Sequence, residues 1–340
     1  MVILNETKTT SADTRLYTIL SLHKKIMKYL QYIGIILGAI YGYCYRLLCE
    51  NEGVNEIYEN YSIYSISFIW ILPIIIAIIP ILFAREEIIE SKWKQFVFPF
   101  LSVLLFFIFT LSSGIEDWLC ILIIAFPFLL IAGVVGLILG PIIKKRKSNK
   151  LYSIVLLPFI LSPIESVIPN KTEHFKVESE IVIEADKQSI WENLIEVPEI
   201  KDNEYNKGFF NYIGVPRPIK SELEIINGKE YRIGYFSDKL KLYETISRVE
   251  PLKFVEFNIH ISESELRDLP TDKHLLKSNY FSFENISYRL KEISPNKTKL
   301  ILYCEYTLDS KMNGYANFWA EKIIKDFESR LLNSLKLKIE

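Results

Sequence analysis

The chain has little cysteine, histidine or methionine: 4, 4 and 3 of its 340 residues. Cys44, Cys49, Cys120 and Cys304 form no C-x-x-C pair, so neither a zinc site nor a disulfide framework follows from their spacing. His23, His174, His260 and His274 are scattered, which leaves no basis for a metal site. Glycine-rich phosphate cradles of the G-x-G-x-x-G and P-loop types are absent. No Ser/His/Asp or Cys/His set can be assembled, and no cofactor is implied. The net charge is only -1, with no basic stripe and no recognition-helix pattern, which argues against a nucleic-acid partner. The first 22 residues are polar and mixed, so no cleavable signal peptide is evident. Sequons at Asn5, Asn60, Asn170, Asn285 and Asn296 are expected by chance in an Asn-rich chain and carry no weight.

Apolar residues are plentiful instead. Half the chain is hydrophobic, 14% is aromatic, and mean hydropathy is +0.18. The average conceals a division near Asn170. Long charge-free runs precede it, and the charge density of an ordinary soluble domain follows it. Two domains are also the default for this length. The division predicts a tail over 1–27, a helical membrane region over 28–169, and a soluble domain over 170–340. Roughly the first 15 residues are expected to be disordered.

A helix needs about 20 apolar residues to cross the hydrocarbon core. Charge-free runs occur at Tyr29–Tyr45, Tyr61–Ala84, Gln95–Ile115 and Trp118–Ile143. A shorter run, Leu151–Ile164, contains Pro158 and Pro163, and reaches Pro169 if Glu165 sits at the interface. Four or five spans are therefore expected. Lys24, Lys25 and Lys28 precede the first span, and Glu50, Glu52, Glu56 and Glu59 follow it. Arg85, Lys92 and Lys94 mix with Glu86, Glu87 and Glu90 in the next loop. Glu116 and Asp117 stand alone in the third, and Lys144, Lys145, Arg146, Lys147 and Lys150 fill the fourth. Basic residues are retained on the cytoplasmic side, so this alternation puts the N-terminus inside. Five spans then place the soluble domain outside the cytoplasm, and four place it inside. No charge lies mid-span, which favours an anchor or scaffold over a pump. Gly34, Gly38 and Gly42 give the first span a small-residue packing face. Cys49 and Cys120 fall at the same outer surface, where free thiols or a disulfide are both open. The Ile-, Lys- and Asn-rich composition resembles that of a low-GC bacterium, which makes the bacterial cytoplasmic membrane the expected bilayer.

Beyond His174 the periodicity becomes two. Phe175, Val177, Ile181 and Ile183 alternate with polar residues as in a half-buried strand. Lys187–Leu194 reads as a short amphipathic helix capped by Asp186. Strands are predicted over Pro218–Ile226, Glu230–Phe236, Lys239–Val249, Lys253–Ile261, Phe281–Ile293 and Lys299–Leu308, with Asn227-Gly228 as a hairpin turn. Tyr315, Trp319, Ile323, Phe327, Leu331 and Leu335 form the apolar stripe of a final helix over Tyr315–Leu337. Such a helix must cover one face of the antiparallel sheet, giving an α+β domain.

This order, with Glu180–Trp191, Gly214–Ile219 and Asn313–Trp319, resembles the START-like helix-grip superfamily (SRPBCC), of the polyketide cyclase/dehydrase and lipid-transport type. The resemblance covers roughly residues 174–337 and rests on strand order more than on any one motif. It implies a curved antiparallel sheet wrapped on a long helix, enclosing a cavity for an apolar or amphipathic ligand.

Glu244 is the most informative single residue. It shares inward parity with Leu240, Leu242 and Ile246, so it is either a polar anchor in a pocket or half of an ion pair. Trp191, Tyr288, Tyr306 and Trp319 face inward and either line a ligand cavity or fill the core. Phe209 and Phe210 lead into the Gly214–Pro218 loop. That loop gates the cavity mouth, offers Arg217 to a headgroup or acidic ligand, or is a rigid turn. His260 has outward parity. The leading expectation is a non-catalytic, membrane-anchored module for a hydrophobic or lipid-like ligand. A cyclase/dehydrase-type enzyme with Glu244 as general acid or base is the alternative, and a soluble domain that binds only protein partners is a third.

Overall fold

In the computed structural model, helices occupy the charge-free stretches and strand pairing begins at Lys171. The structure describes residues 11–50, 65–145 and 156–340. Contacts divide the chain into Met1–Ser112 with Ile124–Val167, and Ser113–Ile123 with Ile168–Glu340.

The first unit is helical: α1 (Ser11–Glu50), α2 (Ser67–Leu82), α3 (Glu86–Ile89), α4 (Lys92–Val97), α5 (Phe100–Ser112), α6 (Trp118–Lys145) and α7 (Leu157–Ser166). The expected disordered tail extends over ten residues outside the described ones, and Ser11–Arg15 are already helical. Among the described residues, three helical stretches are long and apolar enough to cross a membrane: Tyr32–Glu50, Lys92–Ser112 and Trp118–Lys144. Four or five are expected from the sequence, and the described residues show three of them. The second run yields only the shorter α2, and its first residues, like those of the fifth run, lie outside the described chain. The fifth yields a helix of 10 residues that opens with Pro158 in its first turn, where a missing N–H costs nothing.

The glycine face of α1 does let helices approach closely. A Cβ on Gly38 would lie 2.4 Å from Ser102 Oγ, and one on Gly42 2.5 Å from Ile76 Cδ1. Ser102 also donates to the Ile35 carbonyl at 2.8 Å. Glu165 is enclosed by protein. It is 7% exposed and accepts from Ile66 N (2.6 Å), Ser67 N (2.9 Å) and Ser67 Oγ (2.7 Å). It thus caps the start of α2, where unsatisfied amides and the helix dipole favour an anion. Arg46, just past the first run, is fully buried and pairs with Glu50 at 2.8 Å. No disulfide joins any two of Cys44, Cys49, Cys120 and Cys304.

The second unit carries β1 (Lys171–Ile183), α8 (Lys187–Trp191), α9 (Phe209–Tyr212), β2 (Pro218–Ile226), β3 (Lys229–Phe236), β4 (Lys241–Glu250), β5 (Phe254–Ile259), β6 (Phe281–Ser294), β7 (Lys297–Ser310) and α10 (Asn313–Ile339). The strands form one antiparallel sheet in the order β1-β7-β6-β5-β4-β3-β2. Asn227 and Gly228 both have positive φ (51° and 79°), as a two-residue turn of the I′ type requires. Asp186 caps α8 through Ser189 N at 2.8 Å.

Helix α10 packs on β1 and β7. Two apolar clusters fill the space between helix and sheet. One gathers Ile183, Leu194, Phe257, Tyr288, Leu302 and Leu335, and the other Val177, Cys304, Tyr306 and Leu308. Each fully buried aliphatic or aromatic side chain there stabilises the domain by about 1.5–3 kcal/mol. The long C-terminal helix over a seven-stranded antiparallel sheet is the arrangement that the resemblance implies.

Candidate functional site

Glu244 faces the interior, 5% exposed, as its parity predicts. Its register partner on the neighbouring strand is Arg232, which is 7% exposed and donates from Nη1 to Glu244 Oε2. The same guanidinium donates from Nε to the Ile195 carbonyl (2.7 Å) and from Nη2 to the Leu194 carbonyl (3.3 Å). It also lies 4.5 Å from the centre of the Phe257 ring. Glu244 is therefore half of an ion pair that also binds the carbonyls following α8.

A second interior carboxylate lies on α10. Glu328 is 2% exposed, and among the described residues neither of its oxygens has a hydrogen-bond partner. It shares a helix face with Ile324, Leu331 and Leu335, all packed into the two clusters. Ser179 of β1 is 7% exposed, and its hydroxyl also lacks a partner. Ser179 lies between the inward residues Val177 and Ile181, opposite Leu302. Burial pushes the Glu328 carboxyl up to about 7. The Ser179 hydroxyl and Lys325 favour the charged form and Glu178 opposes it, but Ser179 closes no hydrogen bond. Tyr288, Cys304 and Tyr306 are close enough to feel the Glu328 charge. Burial is also the main cause that pushes Tyr288 up to about 12, with Arg232 opposing and Glu244 and Glu328 adding. Two carboxylate oxygens and one hydroxyl thus stand unsatisfied in an otherwise apolar seam, where each such group costs free energy.

The other candidates separate into three places. Trp191 is half-buried against the cluster that holds Tyr288. Tyr306 is fully buried in the other cluster, and its hydroxyl donates to Asn317 Oδ1 at 2.8 Å. Trp319 is half-buried, edge-on to Phe318, and its buried indole N–H has no hydrogen-bond acceptor among the described residues. Phe209 is 59% exposed and pairs with Phe210. Arg217 donates to the Ile200 carbonyl (3.0 Å) and pairs with Asp202 (2.7 Å), bracing its own loop. Gly214 is likewise fixed, since its carbonyl accepts from Arg267 at 2.8 Å. Arg267 in turn is held by Asp272, which is fully buried. His260 is half-buried rather than exposed, with Nε2 2.8 Å from Thr245 Oγ1.

One feature has no counterpart in the sequence reading. The acidic segment Ser113–Ile123 belongs to the same unit as the sheet. Asp117 Oδ1 accepts from Cys120 N (3.0 Å), capping α6, and Oδ2 accepts from Thr271 N (2.9 Å) and from Thr271 Oγ1. Burial raises the Asp117 carboxyl, but the bonds from Thr271 and Cys120 outweigh it and hold the group below its ordinary value. The Tyr315 hydroxyl donates to the Ile123 carbonyl. A groove of about 280 Å³ lies nearby at the start of α10, lined by residues that include Pro169, Lys171, Met312 and Tyr315.

No family model and no curated protein matches the chain. Solved structures do match, over about half of the chain. The chain is similar to the Zhui aromatase/cyclase from Streptomyces sp. R1128, at 14% identity over 49% of this chain and 94% of that one, with a TM-score of 0.31. It is similar to a norcoclaurine synthase point mutant from Thalictrum flavum, at 12% identity over 50% and 96%, with a TM-score of 0.31. An uncharacterised protein from Rhizobium leguminosarum matches at 14% identity over 51% and 98%, again with a TM-score of 0.31.

Proposed function

We propose that the chain is a membrane-anchored binding module for a hydrophobic or amphipathic, lipid-like ligand, held in the seam between α10 and the sheet. One observation carries this reading: Glu328 and Ser179 present unsatisfied polar atoms inside an apolar, aromatic-rich interior. A bound molecule with an apolar body and a polar head would satisfy both kinds of surface. The three long apolar stretches supply the anchor. Anchoring raises the effective concentration of the module at a surface rich in such ligands. Glu244 as a general acid or base loses support, because Arg232 already occupies it.

The sidedness follows the charge pattern. Ser113–Ile123, with Glu116 and Asp117, shares a unit with the sheet, which supports one side of the membrane for both. With α2 and the fifth run also crossing, as five spans require, the basic residues of the other loops favour a cytoplasmic N-terminus and an extracytoplasmic domain.

Native mass spectrometry of the full chain, released from detergent and re-examined after organic extraction, tests the binding reading. A lipid-like mass that survives detergent removal and leaves on extraction is expected. A clean apo mass, with no uptake from a lipid mixture, overturns it in favour of a domain that binds protein partners. Protease added to intact spheroplasts tests the side: the C-terminal unit should be cut, and full protection reverses the orientation.

A further inference from the structure

We propose that Glu328 and Ser179 form the recognition point for a ligand head that donates hydrogen bonds, an alcohol or an ammonium group on an apolar chain, and that they discriminate against carboxylate and phosphate heads. This deepens the binding-module reading and rests on it.

An ionised carboxylate only accepts, with two oxygens and about four lone-pair positions. Neither Glu328 oxygen is engaged, and the Ser179 hydroxyl facing it is not engaged either. Nearby groups do not fill the need. Cys304 and Leu302 line β7, Tyr306 is committed to Asn317, and Arg232 is committed to Glu244 and two carbonyls. Among the described residues no cluster of three metal-ligating side chains exists, so a cation held by protein ligands is not the complement. The missing complement is a donor.

The polar group also sits where an amphipath's head would end. Glu328 lies between the cluster of Tyr288, Leu331 and Leu335 and that of Tyr306 and Ile324, so apolar surface extends from it in both directions along the seam. An anionic head would meet a like charge in a low-dielectric interior, which is strongly unfavourable. A donor head instead makes charge-assisted bonds, the stronger class.

Binding of a donor must favour ionised Glu328. The titratable or charged groups around it are Glu178 on β1, Tyr288 on β6, Cys304 and Tyr306 on β7, and Lys325 on its own helix. Burial raises the tyrosines and the thiol, so none of them loses a proton between pH 6 and 8. With Glu328 near 7, affinity for an alkylammonium should rise across that window.

The test uses the full chain in a non-ionic detergent and three probes of one tail length: dodecanol, dodecylamine and dodecanoate. Calorimetry should show both donors binding at least about tenfold more tightly than dodecanoate at pH 8, a difference of about 1.4 kcal/mol. Dodecylamine should tighten from pH 6 to pH 8. Glu328→Leu should weaken both donors about tenfold and leave dodecanoate no weaker. Glu328→Gln, which keeps the size and one acceptor, should retain dodecanol and lose the pH dependence for dodecylamine, so a folding failure of the Leu variant leaves the idea open to refutation. Dodecanoate binding as tightly as the donors, or donor affinities unchanged in both variants, overturns the proposal while leaving the binding module standing. No uptake of any probe overturns the binding module itself.

Discussion

Two of the carboxylates buried within one domain meet opposite fates. Glu244 lies in the sheet, where strand register sets a partner directly across from it, and Arg232 occupies that position. Glu328 lies on a helix laid over strands, where no register assigns a partner, and its oxygens meet apolar side chains and an unengaged serine. The first arrangement closes its chemistry. The second leaves it open. Burial alone therefore does not mark a site; what matters is whether the surrounding structure completes the buried group.

The comparison breaks most easily at the ion pair. Glu244→Ala strands the Arg232 cation in the interior and should cost about 3–5 kcal/mol in urea unfolding followed by near-UV circular dichroism. A loss below about 1 kcal/mol would mean that the carbonyls of Leu194 and Ile195 suffice for Arg232. The next largest effect has the opposite sign. Glu328 is raised from an ordinary 4.5 to about 7, so the folded state prefers the protonated form. The native state is unpenalised below about 4.5, loses stability as pH rises through the interval, and carries the full penalty of about 3 kcal/mol above about 7. Glu328→Leu should remove that slope and be the more stable protein at pH 8, with the gap closing toward pH 4.5. An unchanged slope would place the titration elsewhere. A third carboxylate, Asp117, sharpens the contrast, because it is capped and clamped as Glu328 is not. Asp117→Asn should cost about 1 kcal/mol in thermal unfolding. Smallest of all is Ser179→Ala. Its hydroxyl makes no bond among the described residues, so the change should lie within about 0.5 kcal/mol of neutral, in contrast to Glu244→Ala.

Much of the domain is legible in the sequence because a two-residue period reports which face of a strand is buried. That pattern marks all seven strands, the Asn227-Gly228 turn and the inward aim of Glu244. Arg232 is harder to read, since parity names a face but not a cross-strand neighbour. Glu328 escapes for a geometric reason. The stripe Tyr315, Trp319, Ile323, Phe327, Leu331 and Leu335 advances in fours, and each step of four overshoots a full turn by about 40°. The line of fours therefore drifts off the buried face, while the face itself runs through Ile324, Glu328, Leu331 and Leu335. A charged residue between Ile324 and Leu331, four residues after one and three before the other, is the available signal. In the helical unit, hydropathy locates the apolar runs but not their helical lengths, and it cannot show that Glu165 caps a helix 98 residues earlier.

That cap also imposes an order of events. Ser67 emerges from the ribosome 98 residues before Glu165, and Ile66 99 residues before it. During that interval the first amides of α2 lack the anion that later satisfies them. The helix can insert, but its end is finished only when α7 arrives. Assembly of the helical unit is thus completed from its last segment backwards, and a chain truncated before Glu165 would leave α2 with an open end.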